Sequence, residues 1–143
     1  MKNLAKTWAT SYPRIAFLIS YGIVFLGIGI TWIAFPSSGR LSGVNWLPVE
    51  VDETHVGVLW IIAGLTSVIA GFVAPNKPKA ERIGFFALEF VPLLLTFWFT
   101  IAFILEFLPP DGDGNIRAAT YVFTYAGYFI APWLISGMRG VPK

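Results

Sequence analysis

Four long apolar runs order this chain, each closed by proline or by charged residues. The first extends from about Ile15 to Phe35, between Pro13-Arg14 and Pro36. The second runs from about Val56 to Ala74 and stops at Pro75, and the third from about Ile83 to Leu108, ahead of Pro109-Pro110. The fourth covers about Ala118 to Met138. Crossing roughly 30 Å of hydrocarbon takes about 20 mostly apolar residues in a helix. A backbone group left unpaired in lipid costs several kcal/mol, so helices are expected throughout these runs. None shows the polar stripe of a soluble amphipathic helix. The expectation is an all-α polytopic membrane protein: one domain over residues 1-143, folded as an antiparallel four-helix transmembrane bundle with spans of about 15-35, 56-74, 83-108 and 118-138.

The basic residues set the direction. Lys2, Lys6, Arg14, Lys77, Lys79, Arg82, Arg139 and Lys143 fall on one side, and only Arg40 and Arg117 on the other. The richer side belongs in the cytoplasm, which puts both termini there and the protein in the cytoplasmic (inner) membrane. The first run is too long for a signal-peptide core and no A-x-A site follows it, so it is expected to be retained. Trp8, Tyr12 and Trp133 are placed near the inner interface, and Trp32, Trp46, Trp60 and Tyr121 near the outer one.

Composition agrees with this setting. The 143 residues are 56% hydrophobic and only 13% charged, against about 25% charged in ordinary globular domains. A net charge of +2, spread over helix flanks, gives no footprint for nucleic acid. With no cysteine and one histidine, His55, thiol chemistry and multi-histidine metal sites are excluded.

Helices in lipid associate through close packing and hydrogen bonds, so small residues mark contact faces. Gly57, Gly64 and Gly71 recur every seven residues on the second span, beside Ala63, Ser67 and Ala70. Gly127 and Ala131 repeat the small-xxx-small spacing on the fourth, and Gly22, Gly27 and Gly29 lie on the first. These residues serve either packing within one bundle or a homo-oligomer interface.

Glu89 is the polar outlier, six residues inside the third span. An intramembrane carboxylate must be protonated, paired or hydrated. By depth, Ser20, Tyr21, Thr66, Ser67 and Tyr128 are its expected companions in a polar layer. Two readings follow: a neutral Glu89 that locks the bundle by a hydrogen bond, or a titrating one that lines a proton or ion path. Pro92 frees a backbone carbonyl nearby.

Other motifs carry less. Asp111-Gly112-Asp113-Gly114-Asn115 opens like a calcium loop, but Ile116 and Val122 stand where glycine and glutamate are required. His55 with Asp52 and Glu53 reads as a helix flank, and Glu106 lies close enough to the outer interface to need no special role. No catalytic residue, cofactor or metal site is assigned, since no nucleophile motif, phosphate loop or dinucleotide fingerprint occurs.

In size, span number, inward termini and short tails such as Met138-Arg139-Gly140-Val141-Pro142-Lys143, the chain resembles small multi-span membrane proteins of actinobacterial bacteriophages, some encoded near lysis genes. That resemblance implies holin-type permeabilisation or superinfection exclusion, although many holins end in a longer, strongly charged tail. The expectation is therefore a non-enzymatic membrane protein acting through helix association, with the bilayer and either a second copy or another membrane protein as partner. The alternatives are a small channel or transporter using Glu89, and an accessory subunit of a larger membrane complex.

Overall fold

The computed structural model describes residues 2–36, 51–107 and 117–137, with side chains described from 13 to 36, 51 to 104 and 120 to 137. Residues 37–50, the Asp111–Asn115 run and residues 138–143 lie outside the described residues, as do the side chains of Trp8, Tyr12, Glu106 and Arg117. The described chain is all-helical, in the order α1 (Lys2–Ala34), α2 (Glu53–Val73), α3 (Pro78–Phe107) and α4 (Arg117–Gly137).

Three helices are long and apolar enough to cross a membrane: α1 over Pro13–Ala34, α2 throughout, and α3 over Pro78–Ile104. α4 is not among them. Its 21 residues include Thr120, Tyr121, Thr124, Tyr125 and Tyr128, whose hydroxyls dilute its apolar character. Large apolar side chains point outward around the bundle: Phe72 is 68% exposed, Phe86 64% and Phe123 78%. Apolar surface on this scale is foreign to a soluble monomer and belongs to a membrane protein.

Several helices begin earlier than the apolar runs alone indicate, and local chemistry explains two of them. α2 starts at Glu53 because the Asp52 side chain caps it, accepting the His55 backbone N–H at 2.9 Å. α3 starts at Pro78, whose missing N–H costs nothing in a first turn. Between them Asn76 and Lys77 donate to the Val73 carbonyl, closing a tight turn. α1 runs on unbroken through Pro13.

α1 and α2 pack as an antiparallel pair at backbone contact. A methyl group built on Gly64 would lie 2.7 Å from the Gly22 carbonyl oxygen, and one on Gly29 2.7 Å from that of Gly57. A methyl group on Gly71 would lie 2.6 Å from the Ile19 side-chain Cγ1. Ser67, fully buried, donates to the Leu18 carbonyl at 2.8 Å and seals this seam. α4 packs chiefly on α3, and α3 on α2. Aromatic rings bridge the space from α1 and α2 to α4. Trp60 is fully buried between Phe25, Tyr125 and Tyr128, with ring centroids 4.5, 6.0 and 6.0 Å away. Trp60 is thus core and not interfacial belt, because it shares a helix face with Ala63, Ser67 and Ala70. Trp133 is 56% exposed, as an interfacial residue would be.

Two glycine-to-alanine changes separate seam from surface. Gly64→Ala forces backbone apart and should destabilise the fold by about 1–3 kcal/mol. Gly127, with open space around it, should accept alanine with a gain of about 0.5–1 kcal/mol. Reversible unfolding in detergent measures both. The His55 N–H also holds the Asp52 carboxyl below its ordinary value. This cap therefore stabilises α2 above the unfolded-state pKa and is lost as pH falls through the lower folded one. The protection factor of the His55 amide against exchange should fall on acidification, and in Asp52→Asn it should no longer change with acid pH.

Candidate functional site

Arg14, Glu81, Arg82 and Glu89 gather at one end of the bundle. Glu81, Phe85 and Glu89 follow one another at four-residue intervals, so α3 presents them on one face. Arg14 enters from α1. Its Nε lies 2.6 Å from Glu81 Oε1, and the two side chains are only 24% and 18% exposed. The contact is Coulombic, since Nε makes no aligned hydrogen bond there. The Arg14 Nη2 donates to the Ser136 carbonyl of α4 at 3.4 Å, and its guanidinium carbon sits 5.2 Å from the Phe85 ring centroid. One side chain thereby ties three helices together.

Beside this tie lies a half-open cavity of about 470 Å³, lined by Arg14, Glu81, Arg82, Phe85, Glu89 and Ser136 among others. Glu89 is half-buried, and its Oε1 is shielded from solvent with no hydrogen-bond partner. Buried polar atoms are nearly always satisfied, so this oxygen is an exception, on a residue that also lines the cavity. A second, more open groove of about 460 Å³ shares Ser136 and continues along Trp133, Leu134 and Gly137. Among the described residues no group of three His, Asp or Glu side chains could hold a metal ion.

The residues singled out by depth do not gather around Glu89. Ser20 is exposed and bonds its own helix at the Ala16 carbonyl, 2.7 Å away. Tyr21 stacks on Phe17 with centroids 4.4 Å apart. Ser67 is spent on Leu18, Thr66 is half-buried on α2, and Tyr128 lies against Trp60 and Phe25. None of them lines the Glu89 cavity. Depth alone ignores the direction in which each side chain leaves its helix. The small residues also divide: Gly57, Gly64 and Gly71 face α1, whereas Gly127 is exposed with nothing near it and Ala131 is half-buried.

Sequence reasoning used Arg14 and Arg82 only as flanking charges and did not single out Ser136. Two signals were present: the four-residue spacing of Glu81, Phe85 and Glu89, and an arginine directly at the start of a span, where its long stem can reach inward.

Above the cavity the interior is closed by rings. From Phe85 a continuous series runs through Phe17, Tyr21, Phe25, Trp60, Tyr125 and Phe99 to Tyr121, with successive centroids between 4.4 and 6.1 Å apart. Beyond the charged cavity the interior is thus packed with aromatic side chains.

Removing the tie should be costly and neutralising the orphan should not. Arg14→Gln leaves Glu81 without its partner and should lower stability by about 1.5–3 kcal/mol. Glu89→Gln is isosteric, breaks no hydrogen bond, and should shift stability by less than about 1 kcal/mol. Detergent unfolding of the two variants side by side checks this ranking. Comparison of the sequence with known protein families and with curated proteins, and of the fold with solved structures, finds no match.

Proposed function

We propose that the chain crosses the cytoplasmic membrane four times, with both termini on the cytoplasmic side, and works there without catalysis as a binding and association module. The observation that carries this reading is the buried, unpartnered Glu89 oxygen at the wall of a charged cavity. An ionisable side chain placed inside a membrane helix is by default a candidate functional group. The side on which the cavity opens follows from the basic residues, since Arg14, Lys77, Lys79 and Arg82 all lie at that end. The fourth crossing is supported by α4, which is 21 residues long and antiparallel to α3, with Phe99 against Tyr121 and Tyr125.

A channel within one copy is the weaker reading. Ions would have to pass Phe25, Trp60, Phe99 and Tyr125, all of them buried. Gly57, Gly64 and Gly71, which could have joined copies into a larger pore, are engaged with α1. An envelope-modifying role, including superinfection exclusion or service as an accessory subunit, would then rest on occupancy of the cavity and not on permeabilisation.

The absence of cysteine allows a clean topology test. A thiol introduced at Arg82→Cys should react with an impermeant maleimide only from the cytoplasmic face, and one at Thr54→Cys only from outside. Liposomes containing the protein should hold a proton gradient as well as empty ones do. Labelling of residue 82 from outside, or a dissipated gradient, would rule the proposal out.

A further inference from the structure

The charges around the cavity do not all neutralise one another. Arg14 and Glu81 form their own pair at 2.6 Å. What remains is Glu89 and the Arg82 guanidinium, both lining the cavity, for neither of which an ion pair is formed among the described residues. The two lie seven residues apart on α3, nearly two turns, so both reach the same cavity. The rise between them is roughly 10 Å, a gap that two long side chains and a small zwitterion can bridge. The occupant must offer Glu89 a cation with N–H donors and offer Arg82 an anion.

The adjoining groove adds a second requirement. It begins at Ser136 and is walled by Trp133 and Leu134, which are 56% and 51% exposed. A charged compartment opening onto an apolar outward track, at the depth where basic residues meet the first apolar turn, matches a polar headgroup with attached chains. A choline headgroup cannot donate to Glu89, having no N–H. A glycerol headgroup brings negative charge beside Glu81 and Glu89 without a compensating cation.

Resting on the reading of this cavity as a binding site, we propose that it holds one aminophospholipid, the ethanolamine ammonium against Glu89, the phosphate against Arg82, and an acyl chain along the Trp133–Leu134 groove. The test uses the full chain purified in detergent and titrated with dioctanoyl lipids bearing ethanolamine, choline or glycerol headgroups, and with soluble phosphoethanolamine. Intrinsic tryptophan fluorescence reports binding. The ethanolamine lipid should bind roughly tenfold more tightly than the choline lipid. Glu89→Gln should erase that preference, and Arg82→Gln should weaken both lipids alike. Helical circular dichroism confirms that each variant is folded. Equal affinities in the unaltered protein, tighter binding of the glycerol lipid, or a preference surviving in Glu89→Gln would overturn the proposal. Soluble phosphoethanolamine binding as tightly as the lipid would overturn the assignment to the bilayer. The topology and gradient measurements are independent of these titrations, so the lipid proposal can fail while the four-span binding module stands.

Discussion

Backbone contact between α1 and α2 is the constraint on which the rest of this structure depends. In lipid no hydrophobic force draws helices together, and close approach must supply the dispersion contacts and weak polar contacts that hold them. Gly22 against Gly64 and Gly29 against Gly57 remove the side chains that would keep the axes apart. The seven-residue repeat on both helices keeps these glycines in one line over two turns. Once the backbones meet, the Ser67 hydroxyl can satisfy itself on Leu18 across the seam. Such a hydrogen bond contributes only about 0.6 kcal/mol in comparable membrane proteins, with about 1.7 at most. Register is then fixed by shape first and by polarity second.

The tightness of that pair determines the looseness elsewhere. With small residues spent on α1 and α2, the remaining interior is filled by rings. Trp60 reaches from α2 to Tyr125 and Tyr128, and Phe99 of α3 stacks on Tyr125. Offset and edge-to-face rings add about 0.5–1.5 kcal/mol each beyond their buried area. At the end where the rings stop, Arg14 takes over, joining α1 to Glu81, Phe85 and Ser136. The cavity is the space left beside that junction, and Glu89 is the group the junction does not satisfy.

Helix positions were legible because lipid imposes a simple rule: a run long and apolar enough must be helical. Asp52 and Pro78 extended two of these helices beyond the apolar runs through ordinary end chemistry. The glycine repeat on α2 was visible as well, and so were Gly22, Gly27 and Gly29 on α1, but only the antiparallel register separates Gly22 and Gly29, which meet α2, from Gly27, which does not. Glu89 stood out by its cost in hydrocarbon. Its surroundings did not, because depth is one coordinate and the direction around the helix is another. Ser20 has the right depth and points away, whereas Arg14 looks like a flank residue and reaches in. Trp60 is the same lesson in reverse, a residue of interfacial type held at the centre by the face it shares with Ser67.

If the seam closes within one chain, the molecule is a self-contained bundle whose small residues are occupied and whose reactive feature is a single charged cavity. If the seam joins two chains, those glycines describe an oligomer and the cavity loses its frame. Spin labels on Ile30→Cys and Val58→Cys, exposed residues next to the Gly29–Gly57 contact, distinguish the two by dipolar coupling in detergent. The account predicts a short distance that persists undiminished when doubly labelled protein is diluted with unlabelled protein. Loss of that coupling on dilution would show that the seam lies between molecules and would contradict it.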